Sequence, residues 1–263
     1  MAEFPHGGPS ASFRRTRLVA LHTLGEALRL RLTALLGMIG AAVVVGALAL
    51  REFNFGSAEL KFIGDFGLGA IGGFGTLLAA LATAQLFFSE IQGRAAYCVL
   101  TRPVRRWEYM AGKFIGVAGL LALFTVAMGL LIAALLAVRA AQLEGAVVGW
   151  TALACACAMQ WLKVTLVAGM TLVVCSYAGS ALFASGAGLI LAVVAHLRSF
   201  VGEGGRFGWI KVWPNLALFD AESVLAATHP PSASLLLGCA GYWAVYALVF
   251  IGIASYVFEQ REF

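Results

Sequence analysis

The sequence predicts an all-α, polytopic membrane protein with six transmembrane helices, an amino-terminal interfacial elbow helix and both termini in the cytoplasm. Three observations predict it. The chain is 61% hydrophobic and 12% charged with a mean hydropathy of +0.91, whereas soluble domains carry about 25% charged residues. Its apolar residues gather into uncharged runs near the roughly 20 residues that a helix needs to cross a bilayer. Its basic residues flank those runs and crowd into a few intervals between them, the distribution that marks cytoplasmic span ends.

Residues 1–12 are rich in Pro and Gly, lack an apolar core and do not resemble a cleaved signal, so a flexible tail is expected there. In residues 13–31, Leu18, Leu21, Leu24 and Leu28 recur at helical spacing opposite Arg14, Arg17, Arg29 and Arg31. That stripe suits an elbow helix lying along the headgroup layer, the alternative being the ragged start of the first span. Uncharged runs then read as spans one to three at residues 32–50, 66–89 and 114–138, the second opening on the small-residue run GLGAIGGFG, a helix-contact face in lipid.

The interval after Gly145 is too long for one span and Lys163 interrupts it. QWLKVTL around Lys163 has no turn former, whereas SYAGS at 176–180 does, so the turn belongs there. Spans four and five follow at 147–175 and 181–196, with Lys163 roughly 20 Å into the fourth. Its amine either snorkels to the interface or lines a polar pathway. Residues 198–231 read as an extracytoplasmic cap with Trp209 and Trp213 at headgroup depth. The sixth span is 234–258, and residues 259–263 form a cytoplasmic tail.

With this layout the cytoplasmic side holds Arg14, Arg15, Arg17, Arg29, Arg31, Arg94, Arg102, Arg105, Arg106, Lys113 and Arg261. The outer side holds Arg51, Lys61, Arg139, Arg198, Arg206 and Lys211. The bias orients the chain. It also accounts for the net charge of +5 without nucleic acid, since the basic residues are not interleaved with stacking aromatics along a polar face.

The densest positive charge lies in the coupling segment 90–113, where Arg94, Arg102, Arg105, Arg106 and Lys113 face only Glu90 and Glu108. Pro103 restricts the backbone there. The arginines suit carboxylates of a partner, and Trp107 and Tyr109 offer rigid contact area. The other reading is a solvated basic loop held to anionic lipid.

Sharper chemical motifs are missing. Ala111-Gly112-Lys113-Phe114 lacks both the earlier Gly (Trp107 stands there) and the following Ser or Thr of a phosphate-binding loop, so the chain is not expected to bind ATP itself. Cys98 is expected in the cytoplasmic segment, and Cys155, Cys157, Cys175 and Cys239 behave as small hydrophobes. His6, His22, His196 and His229 read as scattered, without an i, i+4 partner or a carboxylate triad. No catalytic, cofactor or metal site is expected.

Glu90, Gly93-Arg94 and LTRPVRRWEYMAGKFIG at 100–116 resemble the cytoplasmic segment between the second and third spans of ABC-2-type transporter permeases. The elbow TLGEALRLRL, WPNLALF after the fifth span and the ending YVFEQREF add to the resemblance. It implies a non-enzymatic permease subunit of a bacterial inner membrane, paired with a second copy or a paralogue. ATP and Mg would belong to a separate ABC ATPase subunit. Glu90, Arg94, Arg102, Pro103, Arg105, Arg106, Trp107, Glu108, Tyr109 and Lys113 would form the ATPase-coupling interface, and Thr76, Thr83, Gln85 and Lys163 would face a pathway suited to a hydrophobic or amphiphilic cargo. An integral membrane enzyme acting on lipid phosphates, or a noncatalytic assembly or sensing component, are the alternatives.

Overall fold

A computed structural model describes residues 9–46, 59–92, 105–142, 148–198, 213–220 and 232–260. Among the described residues the chain is helical, with no strand. The order is α1 (Pro9–Arg29), α2 (Arg31–Gly46), α3 (Glu59–Gln92), α4 (Arg106–Ala140), α5 (Trp150–Tyr177), α6 (Ala181–Leu197), a 3₁₀ turn (Leu216–Phe219) and α7 (Ala233–Glu259).

It is a multi-pass membrane protein. Among the described residues four helices are long and apolar enough to cross a bilayer, over Leu60–Ile91, Arg106–Ala140, Trp150–Tyr177 and Ala233–Glu259. A fifth crossing exists if α1 and α2, bent by 63° at their junction, act as one broken span. The six spans expected from composition are therefore not all present as full-length helices. At 17 residues α6 reaches about 26 Å, short of a core about 30 Å thick. The described part of the first expected span, α2, has 16 residues, and residues 47–50 lie outside the described ones.

The helices on either side of the coupling segment reach further into it than the expected spans 66–89 and 114–138: α3 runs on through Gln92 and α4 begins at Arg106. No proline stands between Arg106 and Lys113, and the Glu108 carboxylate accepts the Arg105 N–H at 3.2 Å as in a capping box. The elbow helix α1 runs alongside α4. Glu108 meets Ser12 and Arg15, Gly112 meets Thr16 and Val19, Gly116 meets Ala20 and Thr23, and Gly119 meets Leu24. Both sets of numbers rise together, so the helices are parallel. Gly112 and Gly116 allow this closeness: a Cβ on either would fall 2.7 Å from the Val19 or Thr23 side chain.

The bundle is assembled on α5, against which α3, α4, α6 and α7 all pack. The glycine-rich start of α3 supplies its close contacts, with Gly67 under Ile132 of α4 and Gly75 under Val164 of α5. The break between α5 and α6 falls at 178–180, within the turn-forming stretch at 176–180. There the Ser180 hydroxyl accepts the Phe183 N–H, capping α6. Of the expected cap, residues 198–231, only Arg198 and 213–220 are described, so Trp209 lies outside the described residues, as do Cys98, His6 and His229.

Candidate functional site

The residues singled out in the charged interval fall into two groups. Arg94, Arg102 and Pro103 lie outside the described residues. The remainder sit on the helix ends that flank residues 93–104, and most of them face inward.

Glu90, near the end of α3, is buried and meets Lys113 of α4, with Nζ 2.7 Å from Oε1. The same ammonium donates to the Leu86 carbonyl, and the Tyr109 hydroxyl donates to the other Glu90 oxygen at 2.6 Å. Phe258 of α7 stacks on the Tyr109 ring at 6.0 Å between centroids. A buried ion pair of this kind is tolerated only when its remaining hydrogen-bonding capacity is met, and here carbonyl, hydroxyl and ammonium meet it.

One turn earlier Glu108, fully buried, receives Arg15 in a bidentate pair at 2.9 and 3.0 Å and the Ser12 hydroxyl at 2.6 Å. That carboxylate also favours the positive end of α4. Arg106 donates to the carbonyls of Phe258 and Glu259 at 3.1 and 2.6 Å, satisfying acceptors that the last turn of α7 leaves open. The ends of α1, α3, α4 and α7 are thus tied to one another around the boundary of residues 93–104.

This corrects the surface role expected of several residues. Glu90, Glu108, Tyr109 and Lys113 are buried within the chain and cannot offer contact area to a partner. Arg106 is engaged by α7. Arg105 and Trp107 are exposed. The histidine reading also changes: His22 has Glu26 one turn on, and the two come together with Glu90, their ligand atoms all within 4.8 Å. Ser89 donates to Glu26 at 2.9 Å. Lys113 already supplies the positive charge against Glu90, so a divalent cation would have to displace an ammonium at 2.7 Å.

Two of the four expected pathway residues come together and two do not. Thr76 and Lys163 line a cavity of about 630 Å³ between α3, α5, α6 and the 3₁₀ turn, together with Asp65, Gln160, His196 and Asp220. Lys163 is buried and paired with Asp220, which follows the 3₁₀ turn. The Gln160 carbonyl oxygen is buried with no hydrogen-bond partner among the described residues. Thr83 is buried beside Lys113 and donates to the Ala79 carbonyl, away from this cavity. Gln85 is exposed on the opposite face of α3 from Thr76. Sequence reasoning passed over Gln160 and Asp65. The spacing of Gln160 to Lys163, three residues along one helix face, was the available signal.

No family model matches the chain, and no curated protein matches it in sequence.

Proposed function

We propose that this chain is the permease subunit of an ABC-2-type transporter. In this reading it has six spans with both termini in the cytoplasm and pairs with a second permease chain in a bacterial inner membrane. It moves substrate, in the export direction, with ATP hydrolysed by a separate ABC ATPase.

One observation carries the reading. The Arg-Pro-Val run falls in residues 93–104, and the two described helix ends on either side of them in sequence are cross-linked by Glu90, Tyr109 and Lys113 and joined to α1 and α7 by Arg15 and Arg106. A displacement imposed on that segment by a partner reaches four helices at once, because packed and hydrogen-bonded elements move as units. Arg105 and Trp107 are the described residues left exposed for the contact.

The test is purification of the tagged chain from its native membrane, followed by assay of the eluate for ATP hydrolysis. A bound ATPase is expected, and Arg102→Glu with Arg105→Glu is expected to release it while the chain stays folded. Undiminished ATPase association in the double variant removes the coupling role. An eluate that hydrolyses no ATP removes the transporter reading.

A further inference from the structure

Where α1 and α4 run parallel, their outward faces leave a groove of about 910 Å³. One end is cationic. Arg15, Arg17 and Arg105 line it against a single carboxylate, Glu108, and that carboxylate is taken up by Arg15. The guanidinium groups of Arg17 and Arg105 carry no ion pair among the described residues, and both side chains are exposed. Moving along both helices toward their carboxyl ends, the lining becomes apolar: Leu21, Leu24, Ile115 and Gly119, so Arg17 shares a face of α1 with Leu21 and Leu24 and does not stand opposite them as the leucine spacing suggested. Leu21 and Ile115 are each about half exposed, at 53% and 51%.

The groove is therefore graded, charged at the helix amino ends and apolar about 14 Å further on, the rise from Arg15 to Leu24. Trp107 stands at the charged end, 46% exposed.

We propose that this groove is a binding site for one anionic phospholipid. The phosphate sits between Arg17 and Arg105, and an acyl chain lies along Leu21, Leu24, Ile115 and Gly119. Charge selects the ligand. A zwitterionic lipid brings its own ammonium toward guanidiniums that are already in excess, whereas an anionic headgroup neutralises them through charge-assisted hydrogen bonds. The graded lining selects a lipid over free phosphate, because the apolar wall is met only by a chain. Such a lipid would bind α1 to α4 from outside, beside the Gly112 and Gly116 contact. The proposal does not depend on the transporter reading.

The experiment uses the full chain, delipidated in a nonionic detergent. It is titrated separately with dioleoylphosphatidylglycerol, dioleoylphosphatidylcholine and glycerol 3-phosphate, while thermal unfolding and native mass spectra are recorded. Phosphatidylglycerol is expected to raise Tm by several degrees and to remain bound as a single copy, the other two producing neither effect. Arg17→Gln with Arg105→Gln is expected to weaken phosphatidylglycerol binding at least tenfold without changing Tm in its absence, since both side chains are exposed. Gly119→Phe should weaken binding with the charges intact. Equal stabilisation by phosphatidylcholine, an equal response to glycerol 3-phosphate, or wild-type phosphatidylglycerol affinity in the arginine double variant each overturns the proposal.

Discussion

Lys113 and Lys163 are both lysines carried on apolar helices, both buried and both paired with a carboxylate, yet their surroundings differ. Lys113 is enclosed: its side chain is 2% exposed, its partner Glu90 is 8% exposed, and the space beside it toward Thr83 and Leu172 has no room for a water molecule. Lys163 is 10% exposed, its partner Asp220 is 35% exposed, and both open on the 630 Å³ cavity. Lys113 is bonded on several sides, by Glu90, the Leu86 carbonyl and the face of Tyr109 at 5.7 Å. The Lys163 site retains a buried carbonyl oxygen, on Gln160, with no described partner. A closed, fully satisfied ion pair fixes helices, and an open one beside an unmet polar atom has capacity left for a ligand.

The largest expected effect comes from breaking the closed pair. Lys113→Met leaves Glu90 ionised and buried without its counter-charge, a change that costs about 3–5 kcal/mol in comparable pairs. Thermal unfolding in detergent should show a large fall in Tm. Replacing Glu90 as well, by Met, should restore most of the loss, because the double variant no longer buries an uncompensated charge. A double variant as unstable as Lys113→Met would show that the pair acts through packing and not through charge.

The helices themselves were legible because charges punctuate the apolar runs: Glu90 and Arg139 lie close to helix ends, and the Ser-Tyr-Ala-Gly-Ser stretch marks the break before α6, whereas Lys113 lies two turns inside α4. The tertiary partners were not. Glu108 and Arg15 are separated by 93 residues and Lys163 and Asp220 by 57, distances over which no local spacing rule applies. The docking of α1 was readable in part, since Gly112 and Gly116 stand at the four-residue spacing of close helix contact. They went unread because the spacing names a contact face without naming the helix that fills it, and α1 lies nearly a hundred residues earlier in the chain. His22 and Glu26 likewise stand one turn apart, a pattern obscured by the distance to their third member, Glu90.

The open pair should respond less. Lys163→Met leaves Asp220 with access to water, so the expected loss is about 1–2 kcal/mol, between the ranges for exposed and buried pairs. Accessibility separates the two lysines more sharply than stability does. Lys163→Cys should react with a small water-soluble thiol reagent and Lys113→Cys should not, measured by mass after labelling of the folded chain with the native cysteines replaced. Equal labelling of both would remove the distinction between closed and open sites.

The smallest effect, and the one of opposite sign, is expected at Gln160. Its carbonyl oxygen is buried near Gly72, where a Cβ would approach it to 3.1 Å, and it lacks a partner among the described residues. Gln160→Met keeps the length of the side chain and removes the unmet acceptor, whose burial costs about 1–3 kcal/mol when nothing pairs with it. Tm should stay level or rise slightly. The same exchange at a satisfied polar side chain would lower it: Thr165→Val deprives the Trp243 indole N–H of the acceptor it holds at 2.8 Å. A fall in Tm for Gln160→Met as large as that for Thr165→Val would mean that the glutamine is already satisfied. The cavity at Lys163 would then be as closed, chemically, as the pocket around Lys113.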